Sequence, residues 1–170
     1  MTDEKDEAEM LSDEEAYAVV LRYGEDILES DGMIKQKEFV QHGDCSVFEH
    51  SVGVAKECVK RAYNGKQVVD MRSLVRGALL HDYFLYDWHK QDGTHRWHGI
   101  RHPLTALKNA ERDFTLNEKE KNMILSHMFP LCPFLPKYNE SFILWQADKS
   151  CALKEMKDKR ERKNYKKKQD

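Results

Sequence analysis

Apolar positions along the chain recur at helical spacing, and no stretch alternates as a strand would. Val47, Val54, Cys58 and Ala62 mark one buried face of a helix. Polar residues punctuate the pattern. Ser12 with Glu15, Ser46 with Glu49 and Asn117 with Glu120 each set a capping residue three positions ahead of an acid, the signature of a helix start. The first pair opens a helix to about Glu29. The second opens a helix that Asn64-Gly65 ends, and the third precedes KNMILSHM. A short helix is expected over 33–41, and Asp70 caps the run that ends at LLHD. Pro103 suits the first turn of a helix reaching about Arg112, and Asn139 caps a last long helix. DGTHRWHG (92–99) and FPLCPFLP (129–136) lack periodicity and read as loops, the first of them functional. The expected fold is all-α, one compact bundle of about seven helices.

Composition narrows the class. A chain of 170 residues holds one domain with a proper core, and its 34% charged residues imply a heavily solvated surface. No apolar run approaches the roughly 20 residues that cross a bilayer, so no membrane partner is expected. The N-terminus MTDEKDEAEM is acidic and lacks the apolar stretch of a secretory signal. Cys45, Cys58, Cys132 and Cys151 show no CxxC spacing and read as free thiols of a reducing, cytoplasmic compartment. Charge is polarised: residues 1–31 carry twelve Asp/Glu against two Lys/Arg, while 154–170 carry nine Lys/Arg against four Asp/Glu. Only Tyr165 interrupts the basic run as an aromatic. Nucleic acid is thereby disfavoured, and the run reads as a frayed, solvated helix end.

The polar residues that interrupt apolar runs carry the chemistry. His50 lies one turn before Val54, His81 and Asp82 follow an Ala-Leu-Leu run, His127 follows Met123, Ile124 and Leu125, and Asp148 follows Ile143, Leu144 and Trp145. A single buried imidazole is usually satisfied by a hydrogen bond. Several ionisable groups facing inward from separate helices are costly unless they pair or bind a metal. Imidazole nitrogen with carboxylate oxygen suits divalent Mn, Fe, Co, Ni or Zn, and helical bundles build such sites from facing helices. Asp82 has two oxygens and can bridge two ions.

The order of these residues resembles the HD-domain superfamily of metal-dependent phosphohydrolases. HGDCSVFEHSVGVA around His50 and LLHD at 79–82 match the first and second ligand helices of that family, and Asp148 stands in a terminal helix as its last ligand does. His102 in GIRHP and His127 in ILSHM fall between HD and the last Asp, as in the six-ligand, two-metal branch. The likeness covers roughly residues 40–152. It divides the chain into an acidic extension (1–11), an HD domain (12–154) and a basic tail (155–170). It implies one ion on His50, His81, Asp82 and Asp148, with Asp82 bridging to a second on His102 and His127. Mg is also compatible with such a centre. His81 and Asp82 would form the catalytic core, and a bridging water, made acidic by ions roughly 3.5–4 Å apart, would attack phosphorus.

The implied substrate is a phosphorylated small molecule such as a nucleotide, a phosphomonoester or phosphodiester. The signalling phosphodiesterases of the superfamily follow HD with a lysine-containing, phosphate-reading phrase. Here YFLYDWHK follows, so a cyclic dinucleotide is not implied. Candidate substrate contacts are Asp87, His89, Lys90, His95, Arg96, His98 and Arg101 in and around the loop, with His42 and Lys149. Trp88, Trp97 and Tyr86 serve equally as packing or as base-stacking surfaces. Two other readings stand beside the hydrolase: a mixed-valent di-iron oxygenase of the same superfamily, and a non-catalytic, metal-stabilised binding module. The oligomeric state is open.

Overall fold

Helix ends in this chain are fixed by side chains close in sequence, and the computed structural model bears this out over the residues it describes, 10–41, 44–86 and 98–166. Seven α-helices follow one another among them: α1 (Asp13–Leu28), α2 (Asp31–Lys35), α3 (Val47–Asn64), α4 (Met71–Leu80), α5 (His98–Asp113), α6 (Glu118–Ser126) and α7 (Asn139–Lys166). No strand occurs among the described residues, so the expected all-α class is observed. All three capping boxes form, Ser12 with Glu15, Ser46 with Glu49 and Asn117 with Glu120, and Asp70 caps α4 by accepting from the Ser73 N–H at 3.1 Å.

α4 is the axis of the assembly. Every residue from Ser73 to Leu80 is buried, as expected of a helix surrounded by others rather than lying on a surface. α1, α3, α6 and α7 pack around it, and α5 touches its end. Leu74, Val75, Ala78, Leu79 and Leu80 meet Val20 and Ile27 of α1, Val54, Cys58 and Val59 of α3, Met123 and Ile124 of α6, and Leu144 and Ala147 of α7 in one core. Gly77 lets α6 approach closely, because a Cβ there would lie 2.5 Å from the Met123 sulfur. Burial of an Arg in such a helix requires partners, and Arg76 has them: Asp26 at 2.6 Å, and Glu120, whose oxygen lies 3.5 Å away.

Three boundaries differ from expectation. The short helix begins at Asp31 behind a Ser30 cap and ends as a 3-10 turn over Gln36–Glu38, not at Gln41. Phe39 is extended, and Val40 pairs with Ser46 in an isolated bridge. The main chain of Gln41 is thereby tied to Cys45 (2.8 Å) rather than to a helix. α5 starts at His98, so Pro103 sits inside it instead of in its first turn. The ring costs α5 the hydrogen bond to the Gly99 carbonyl, just past the first turn of the helix. Asn139 is the first helical residue of α7, and the preceding Tyr138 carbonyl accepts the first N–H bonds. α7 then runs unbroken through the expected frayed stretch to Lys166. No helix among the described residues is long and apolar enough to cross a membrane.

Leu79 is fully buried in the core. Leu79→Ala is therefore expected to lower the unfolding free energy by about 3 kcal/mol. Ser46→Ala removes only a cap and is expected to lower it by about 1 kcal/mol. Urea unfolding of the two variants checks this; equal losses would contradict the central place given to α4.

Candidate metal centre

The same local device appears at the ends of α4 and α6. His81 and His127 are the residues on which these helices close, each still in helical conformation. Each ring turns back and donates its Nδ1–H to a carbonyl three residues earlier, His81 to Ala78 and His127 to Ile124, both at 2.7 Å. That bond fixes the tautomer and leaves Nε2 as a lone-pair donor aimed inward. His50 enters from the first turn of α3, placed by the Ser46–Glu49 cap. Asp148 comes from the middle of α7 and His102 from the start of α5.

These six residues, between 0% and 8% exposed, meet as two buried clusters. His50, His81 and Asp148 form one; Asp82, His102 and His127 form the other. In the first, Asp148 Oδ1 lies 3.1 Å from His50 Nε2 and 3.6 Å from His81 Nε2. In the second, Asp82 Oδ1 lies 3.1 Å from His102 Nε2 and 3.4 Å from His127 Nε2, and the two imidazole nitrogens are 2.8 Å apart. Asp82 joins them. Its Oδ2 faces His81 Nε2 at 3.4 Å and His50 Nε2 at 4.0 Å, while its Oδ1 faces the other cluster.

The donor set fits divalent ions. Metal–ligand bonds of about 2.1 Å at tetrahedral or octahedral angles put donor atoms roughly 3.0–3.4 Å apart, the range in which most of these pairs lie. Among the described residues, His81 Nε2 and Asp82 Oδ1 are buried with no hydrogen bond, as are the Oε1 atoms of the neighbouring Gln36 and Gln41. With its Nδ1–H held by the Ala78 carbonyl, His81 turns Nε2 toward two carboxylate oxygens, an arrangement that either a proton on Nε2 or a metal cation relieves.

Electrostatics set the state of the metal-free centre. Burial opposes charge on His50, but hydrogen bonds to Asp148 and Glu155, with the Asp148 and Asp82 charges, outweigh it and raise its pKa to about 10. His81 also moves up: burial works against this, and the Asp82 charge and Asp148 prevail. Burial, assisted by His102, holds His127 below its ordinary value against the pull of Asp82. Asp82 and Asp148 stay ionised far below the usual carboxylate range, since the imidazoles around them outweigh their burial. In the metal-free form a proton therefore occupies the ring position that a metal would take.

Three polar side chains of this centre carried no signal in the sequence reading. Both Glu155 oxygens sit at 3.0 and 3.1 Å from His50 Nδ1. Glu155 lies seven residues, about two turns, after Asp148, so the shared face was available as a clue. Gln36 donates to the Asp82 carbonyl at 2.7 Å, and Gln41 donates to Asp82 Oδ2. Only the tertiary fold brings these glutamines there. Asn109 secures the next two carbonyls, of Tyr83 and Phe84, at 3.0 and 3.1 Å.

Among the expected substrate contacts, His42, Asp87, His89, Lys90, His95 and Arg96 lie outside the described residues, as do Trp88 and Trp97; His98 is the first residue of α5. Arg101 is exposed beside His102. The Lys149 amine donates to the His127 carbonyl at 3.1 Å and lies 4.8 Å over the Trp145 ring. Tyr86 is half-buried against Phe84, which packs edge-on to His102. Burial, with the Asp82 charge, pushes its phenol up to about 12, so it keeps its proton at neutral pH. No protein-family model, curated protein or solved structure matches the chain.

Metal loading must expel the His50 proton, whose pKa lies near 10. Affinity for Zn2+ or Mn2+ is therefore expected to strengthen as pH rises from 6 toward 9, with net proton release. Calorimetry in buffers of different ionisation enthalpy measures this; pH-independent binding would contradict it. Asp82→Ala removes the carboxylate shared by the clusters and is expected to lower the divalent-ion content per chain measured by elemental analysis after metal loading; an unchanged content would contradict its place between them.

Proposed function

We propose that the chain is a metal-dependent phosphohydrolase of the HD-domain kind, acting on a phosphomonoester or phosphodiester of a small molecule such as a nucleotide. The observation that carries this reading is the position of Asp82, with one oxygen toward each His/Asp cluster. His50, His81, Asp82 and Asp148 would hold one divalent ion, and Asp82, His102 and His127 a second. Paired divalent ions supply Lewis acidity to a phosphoryl oxygen and lower the pKa of water.

The chain's own residues then have defined tasks. Asp82 fixes the spacing of the two clusters, and Gln36 and Gln41 hold it at both its carbonyl and its carboxylate. The backbone carbonyls of Ala78 and Ile124 keep His81 and His127 in the tautomer that ligates. Arg101, exposed and next to His102 in the sequence, would serve as a charge-assisted donor to phosphate oxygens. Tyr86, whose ring packs against Phe84 beside His102, keeps its phenolic proton at neutral pH. Burial of the clusters excludes bulk water and strengthens the interactions among their own charged groups.

Metal-free protein loaded with Mn2+ or Zn2+ and assayed anaerobically on aryl phosphates, aryl phosphodiesters and a nucleotide panel tests the reading. Metal-dependent release of phosphate or a nucleoside monophosphate is expected, with Asp82→Ala at least about 1,000-fold slower. A loaded wild-type protein inert across the panel would sink the proposal. Turnover that instead requires iron and O2 would transfer it to the di-iron oxygenase reading.

A further inference from the structure

α7 is apolar on two opposite faces. Ile143, Leu144 and Ala147 are buried in the core, whereas Phe142, Leu153 and Met156 are 51%, 65% and 49% exposed. At helical spacing positions 142, 153 and 156 fall on one outward stripe, which Arg160 and Lys163 continue toward the end of the helix. A helix on the surface of a bundle needs one apolar face, so the second calls for a further neighbour.

α1 carries a stripe of similar build and opposite charge. Tyr17 and Leu21 are 41% and 39% exposed and stand one turn apart, outside the buried line of Ala16, Val20 and Ile27. Glu14 lies one turn before them and Glu25 one turn after, both exposed. Among the described residues neither acid has an ion-pair partner, and neither do Arg160 and Lys163. The two helices also border a single groove, with Asp13 of α1, Gly53 and Lys60 of α3, and Ser150 and Lys154 of α7 around it.

We propose that these two stripes form the interface of a twofold dimer of this chain, the α7 of each copy seated on the α1 of the other. Leu153 and Met156 would cover Tyr17 and Leu21, and Arg160 and Lys163 would meet the acids that flank them. Charge selects this pairing. Two α7 stripes face to face would set basic residues against each other, and two α1 stripes would set acids against acids. Because both helices border one groove, a twofold axis through it lets the contact form twice and closes the assembly. The inference uses no residue of the metal centre and stands apart from the functional reading.

Sedimentation velocity of the full chain at about 10–100 μM tests the interface. A dimer is expected at low salt, with weaker association at about 1 M salt. Glu14→Lys with Glu25→Lys, and separately Arg160→Glu with Lys163→Glu, are each expected to raise the dissociation constant at least about tenfold. An equal mixture of the two double variants is expected to regain the dimer, since each reversed stripe then faces its complement. Leu153→Ser changes a side chain that is 65% exposed in the single chain, and is expected to weaken the dimer while leaving the circular dichroism unchanged. A wild-type chain that stays monomeric would overturn the inference. So would a dimer that folded double variants and Leu153→Ser leave at full affinity, or a mixture that fails to recover it.

Discussion

The rest of the structure depends on the burial of Asp82. A carboxylate that is 2% exposed survives as a charge only where other groups replace the water it lost. Here four imidazoles surround it, and two glutamines and an asparagine hold its carboxylate, its carbonyl and the carbonyls that follow. Each of those groups must itself be buried, and each arrives from a different part of the chain: Gln36 and Gln41 from the segment after α2, His50 from α3, His102 from α5, His127 from α6. Placing one charged group inside therefore dictates where most of the helices must end or cross.

α4 shows how packing and chemistry share one element. Eight of its ten residues are buried, which suits the axis of a bundle, and its C-terminal end opens at the middle of the molecule rather than at the surface. A helix end leaves carbonyls without intrahelical partners. His81 uses one of them, the Ala78 carbonyl, to orient its ring, and α6 repeats the solution with His127 and Ile124. What is ordinarily a loose end becomes a support for a ligand. In the middle of α4, Arg76 forms an ion-pair network with Asp26 of α1 and Glu120 of α6 that fastens the bundle.

The helices and most of the candidate ligands were legible in the sequence for a local reason. Caps such as Ser46–Glu49 act over three residues, and an ionisable residue after an apolar run, as in LLHD or MILSHM, stands out against its neighbours. What could not be read depends on contacts between segments far apart. Gln41 was placed in a helix that stops three residues before it, because the bridge of Val40 to Ser46 overrides a local preference. Pro103 suggested a helix start, yet α5 continues back to His98 at the cost of one hydrogen bond. Lys149 was read as facing phosphate or a surface carboxylate, but the Trp145 ring and the His127 carbonyl hold it. Glu155 was assigned to a solvated tail on composition, although its spacing from Asp148 sets it on the face that meets α3.

A cluster of buried imidazoles and carboxylates has two ways to be stable, and the structure separates them. Protons can satisfy it: His50, doubly protonated, would donate to Asp148 and Glu155 at once, and its raised pKa reflects that state. The same solution works poorly elsewhere. His127 is held toward its neutral form, with its Nε2 at 2.8 Å from that of His102, so one proton at most lies between them. His81 Nε2 and Asp82 Oδ1 remain without hydrogen bonds. A purely structural network would be under no pressure to keep such atoms; replacement by apolar side chains of similar volume would be no less stable. Divalent cations would satisfy the ring nitrogens and carboxylates together, at donor spacings close to those of a coordination sphere. Protons and metal ions would thus compete for one set of lone pairs, with protons favoured at His50 and His81 and disfavoured at His127.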